Sequence, residues 1–89
     1  MSLTPIKTEK RWRRAYKKKP KPMREVIDKA VVKLRVDPMD KSLGTHKIRS
    51  HPGVWAADLD RANRLTFHWE GSMIVLRNHC NHDILKRNP

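Results

Sequence analysis

The sequence predicts a small α+β domain in which two N-terminal helices pack on one face of a small antiparallel β-sheet. Three observations carry this. Residues 23–36 place Met23, Val26, Ile27, Ala30, Val31 and Leu34 at helical spacing, one apolar stripe with polar residues elsewhere. Residues 64–70 alternate instead, with Leu65, Phe67 and Trp69 against Arg64, Thr66, His68 and Glu70, the period of a half-buried strand. Helical patterns come first and strand patterns follow without interleaving, the order of an α+β domain rather than an alternating one. The 89 residues allow one domain, spanning 1–89, with one modest core.

Taken in order, residues 5–8 suit a short edge strand, since proline is tolerated where no ladder N–H is needed. Thr8 is the expected N-cap of a first helix over 10–19, whose apolar face is Trp12, Ala15 and Tyr16. Its other face carries Lys10, Arg11, Arg13, Arg14, Lys17 and Lys18. Pro20 and Pro22 break the chain before the second helix, and Asp37-Pro38 ends that helix. Residues 39–52 read as connection, with a short strand expected over 45–49 that alternates His46 and Ile48 against Lys47 and Arg49. A strand over 54–60 turns through Asp60–Asn63 into the alternating strand, and Glu70-Gly71-Ser72 turns into a last strand over 73–79. The helices are expected to cover Trp55, Leu59, Leu65, Phe67, Trp69, Ile74 and Leu76. Arg64, His68 and Arg77 are left for the opposite face.

The net charge is +12 with a sequence pI near 10.6, so the chain attracts polyanions, nucleic acid first and an acidic protein second. The single cysteine, Cys80, excludes an internal disulfide and a cysteine-rich zinc site. No apolar run approaches the ~20 residues of a membrane span, and the first residues lack the apolar core of a signal peptide, so a cytoplasmic protein is expected. His46, His51, His68, His79 and His82 do not follow a zinc-ligand spacing, and no metal or cofactor is expected. Imidazoles near arginines permit different chemistry. A base removes the proton of a ribose 2′-OH, which attacks the adjacent phosphorus, while guanidinium groups hold the phosphate oxygens and an acid protonates the leaving 5′-oxygen. His79 and His82, beside Arg77, are the natural candidates.

The segments Gly53-Val54-Trp55-Ala56-Ala57-Asp58-Leu59, Asn63-Arg64-Leu65-Thr66-Phe67 and Ile74-Val75-Leu76-Arg77-Asn78-His79-Cys80-Asn81-His82-Asp83, following two helices, resemble the RelE/ParE toxin superfamily. The resemblance spans about residues 23–84. It implies a toxin of a type II toxin–antitoxin module, a metal-independent endoribonuclease that cleaves mRNA at the ribosome and is held by a cognate acidic antitoxin. Carried over, Arg64 matches the arginine that grips the scissile phosphate and Arg77 a second phosphate-binding arginine. His82 matches the position of a catalytic histidine or tyrosine, with His46 an acid–base partner. Lys47, Arg49, His79 and the helix cations Lys10, Arg11, Arg13 and Arg14 are the expected RNA contacts. The chain departs from tyrosine-type members, having no tyrosine near its C-terminus. Two alternatives stay open, a ParE-like inhibitor of DNA gyrase that cuts no RNA and a plain basic RNA-binding protein.

Overall fold

The structure is a computed structural model, and it describes residues 3–81, 85 and 87–89. Strand β1 (Ile6–Thr8) leads into helix α1 (Lys10–Lys17) and helix α2 (Lys21–Val36). A 3-10 turn, Lys41–Leu43, precedes β2 (His46–Lys47), β3 (Trp55–Asp58), β4 (Asn63–Glu70) and β5 (Met73–Asn81). The sheet order is β1-β5-β4-β3-β2. The last four strands form the expected antiparallel meander. The sheet is mixed, however, because β1 pairs in parallel with β5, Ile6 opposite Ile74 and Thr8 opposite Leu76. Turn chemistry reveals hairpins but carries no signal for a parallel partner so far along the chain.

Pro22 sits in the first turn of α2, where its missing N–H costs no helical bond. Thr8 is not the cap of α1. Glu9 holds the cap position with extended backbone and no side-chain cap bond, while Thr8 gives its carbonyl and hydroxyl oxygens to Arg13 at 2.7 and 2.9 Å. The helices cover one sheet face. Trp12, Ile27, Ala30 and Leu34 meet Ala57, Leu65, Phe67, Ile74 and Leu76, with Leu43 closing the side. Phe67 has no exposed surface and lies at the centre of this core. Truncating it to alanine removes about 3–5 kcal/mol. Trp69, expected in the core, instead sits at the rim, 37% exposed and edge-on to Phe67. It pairs with Ile74 next to the Glu70–Met73 turn, beyond the reach of the helices.

The opposite face is partly roofed. Ile48, Val54, Ala56 and Leu85 form a second small apolar cluster there. A sequence reading that assigned one face to the helices and the other to solvent had no place for it.

Candidate phosphate-binding face

Pairing places the polar residues of the second face in rows across the sheet. His46, Ala56, Thr66 and Asn78 make one row, Asp58 and Arg64 the next. Lys7, Val75 and His68 form a third. Register shifts between Thr66 and Phe67, so that Thr66 faces Asn78, Phe67 faces Leu76, and Arg77 is the extra residue of a β-bulge. A bulge breaks the alternation of side chains. Arg77 and Asn78, adjacent in sequence, both reach the second face. Arg77 Nη1 donates to His68 Nδ1 at 2.9 Å, and Asn78 Nδ2 donates to the Asn88 carbonyl at 3.3 Å.

Arg64 is anchored at the start of β4. Its Nε bonds Asp58 Oδ1 at 2.7 Å, and Nη1 donates to the carbonyls of Asp60 and Asn63 at 2.6 and 2.9 Å. Asp60 itself caps the turn, accepting from the backbone N–H groups of Ala62 and Asn63. Partial burial alone would raise the Asp60 pKa, but these bonds and the nearby Arg64 hold it below the usual value. The fork of Arg64 is therefore fixed in direction, while its Nη2 donors stay uncommitted among the described residues. A prepositioned guanidinium is what a phosphate oxygen needs.

The imidazoles of His46 and His68 differ in what they offer. His46 is exposed, and its Nδ1 lies 2.8 Å from the Gly44 carbonyl. A carbonyl only accepts, so Nδ1 carries the hydrogen and Nε2 presents a lone pair suited to a general base. His68 has the other tautomer. Arg77 only donates, so His68 Nδ1 accepts and Nε2–H faces Glu70 Oε2 at 3.4 Å. Both nitrogens are engaged, which makes His68 a holder of Arg77 rather than a proton carrier. Lys7 bonds Glu70 at 2.8 Å, and this bond, with the contact to His68, keeps the Glu70 pKa below its usual value.

His79, expected to contact RNA and to share proton transfer, is corrected to a core residue. It pairs with Leu65 on the helix side, is 3% exposed, and meets Trp12 edge-on at 4.7 Å between ring centres. Its Nε2 lies 3.4 Å from the Trp12 carbonyl. Burial first, and then the Lys19 charge, push its pKa below the ordinary value. Lys47 lies on the helix side of the sheet, its ammonium over Trp55 at 5.4 Å, and Arg49 is exposed in the following loop. On α1, Arg11 reaches the site, its Nε donating to the Arg77 carbonyl at 3.3 Å. Lys10, Arg13 and Arg14 are exposed along the helix. His82 lies outside the described residues. Lys7, Asn78 and the clamp on Arg77 by His68 were not found from sequence. Lys7 depends on the parallel pairing and Asn78 on the bulge, and neither leaves a pattern in the residues.

Among the described residues no three His, Cys, Asp or Glu side chains gather into a metal site, and no helix is long and apolar enough to cross a membrane. The arrangement defines a helix-backed sheet with a cationic second face, and several solved structures share the fold. The YoeB/ParE toxin from Agrobacterium tumefaciens superposes with a TM-score of 0.73 at 13% identity, over 88% of this chain and 98% of that one. The RelE of a RelB-RelE antitoxin-toxin complex from Methanococcus jannaschii gives 0.71 at 15% identity, over 92% and 98%. The RelE-RelB complex from Pyrococcus horikoshii gives 0.70 at 15%, over the full length of both chains. The chain has the fold of the RelE/ParE toxin superfamily. No protein-family model matches it, nor does any curated protein.

Proposed function

We propose that this protein is the toxin of a type II toxin–antitoxin module and acts as an endoribonuclease on mRNA at the ribosome. The observation that carries the reading is the pairing, on one sheet face, of a fixed arginine fork at Arg64 with an imidazole at His46 whose lone pair is exposed. His46 Nε2 takes the 2′-OH proton, the 2′-oxygen attacks phosphorus, and Arg64 holds the charge that builds on the phosphate oxygens, with Arg77 gripping the strand at a neighbouring phosphate. His82 protonates the departing 5′-oxygen, leaving a 2′,3′-cyclic phosphate and a 5′-hydroxyl. Side chains supply every proton and charge in this scheme.

The partner that restrains it is an acidic antitoxin. An apolar groove of about 630 Å³ runs between β1, α1 and α2, lined by Trp12, Tyr16, Ile27, Val31 and Val32, with Arg13 and Lys17 also at it. An amphipathic acidic segment matches both its wall and its cations.

The test is induced expression with primer-extension mapping of cellular transcripts. His82→Ala and His46→Ala should each lower cleavage about 10²–10⁴-fold while the protein stays folded, as loss of an acid or base does. Arg64→Lys should lower it about 10²-fold or more, because an ammonium does not reproduce the fork. Unchanged transcripts together with blocked DNA supercoiling by wild type would replace this reading with gyrase inhibition.

A further inference from the structure

The residues at the chain's C-terminal side sit on the site rather than beside it. Asn88 Oδ1 accepts from Arg11 Nη1 at 2.7 Å, and the Asn88 main-chain oxygen accepts from the same Nη1 at 3.4 Å and from Asn78 Nδ2 at 3.3 Å. The Pro89 oxygen accepts from Arg11 Nη2 at 2.8 Å and from Arg77 Nε at 3.3 Å. Pro89 is buried there. Two guanidinium groups from opposite ends of the sequence thus converge on one oxygen, although like charges repel. His68 fixes the far side of Arg77, and the nearby carboxylate of Glu9 is 3.9 Å from Arg11 Nη2.

Two convergent arginines flanked by an amide donor suit the oxygens of a phosphodiester, which offers several acceptors and a full negative charge. We propose that Arg11, Arg77 and Asn78 form a phosphate subsite for RNA, flanking the cleavage centre at Arg64, and that Asn88-Pro89 is its resident competitor. The inference rests on RNA being the ligand. On β5, Arg77 lies three residues before the partner of Arg64, about 10 Å along the strand. One phosphate does not bridge that gap, but successive phosphates of one strand do. RNA must therefore displace Asn88-Pro89 to engage both centres, and these contacts set a threshold against weak or non-specific polyanions.

The full chain tests this with a short 2′-O-methyl RNA, which binds but has no 2′-OH to react. Asn88→Ala removes the shortest of these contacts. It should tighten binding about three- to tenfold, the net weight of one ordinary hydrogen bond, and steepen the loss of affinity with salt. Arg11→Ala should weaken binding, and adding Asn88→Ala to it should bring no gain. Equal affinity for wild type and Asn88→Ala, or an equal gain in the Arg11→Ala background, overturns the competition. A second arm uses inorganic phosphate and follows the Nε–H resonances of Arg11 and Arg77 with the Asn88 amide. All three should move together; if none responds, there is no phosphate subsite. Coupled shifts with phosphate, but no RNA binding by any variant, would keep the anion site and remove the RNA reading.

Discussion

His79 illustrates how one residue type divides between chemistry and packing. Among the described residues His46 and His68 lie on the second face, while His79 is sealed against Trp12 with its Nδ1 buried and unpartnered. A depressed folded-state pKa fixes the direction of the pH dependence. Above the ordinary value of 6.5 both folded and unfolded chains carry neutral His79, and its packing contributes fully. As pH falls below 6.5 the unfolded chain takes up a proton that the folded core refuses, so stability is lost down to the lowered folded value. Thermal unfolding of wild type should therefore fall between pH 7 and pH 5, and His79→Leu should flatten that part of the profile. A parallel profile in the variant would mean that other groups govern the acid limb. Arg64 shows the complementary case, since its direction is fixed by Asp58 and two carbonyls.

At the level of elements, regular patterns were legible and their interruptions were not. The alternation of β4 gives Leu65 and Phe67 to the core and Arg64 to the second face, and the α2 stripe gives Ile27, Ala30 and Leu34. The bulge at Arg77 breaks the same rule on β5, because an extra residue in one strand is decided by the partner strand and not by its own sequence. Trp69 was misread since alternation states which side a residue points to but not how far the covering helix extends. Short irregular segments also support the site. Gly44, with φ of 57°, closes the 3-10 turn, and a Cβ there would come within 2.5 Å of Oδ2 of Asp58, the carboxylate whose Oδ1 anchors Arg64. Gly44→Ala should cost about 1–2 kcal/mol from the left-handed backbone, with more from the displaced carboxylate. Denaturant unfolding measures that loss, and cleavage assays should show activity falling further than stability explains. A variant with full stability and full activity would show that the turn yields freely.

For the molecule as a whole, charge is the dominant property. A net charge of +12 sits on a body with a Cα radius of gyration of 12.0 Å, comparable with the Debye length of about 10 Å at 0.1 M salt. A strand of RNA approaching the second face therefore feels the α1 cations as well as those it touches. Affinity for single-stranded RNA should fall with log salt at a slope near −0.7 per phosphate engaged, about −3 if four are held. Filter binding across a salt series measures this. A flat dependence would rule out a phosphate-led interface. Composition made that property legible before any fold was considered, while the places where charge gathers came only with the pairing of strands.

The parallel contact of β1 with β5 carries one more consequence. Ile6 meets Ile74, so the first strand of the chain finds its partner only after nearly all the rest has been made. The β4–β5 hairpin and α2 are built from near neighbours, whereas closing this edge draws together the most distant pair of strands and carries the largest loop-closure cost. Until that edge closes, Thr8 has no partner in Leu76 and α1 has no fixed base from which Arg11 reaches Arg77. The contact that closes this edge of the sheet is also the one that seats α1 so that Arg11 meets Arg77.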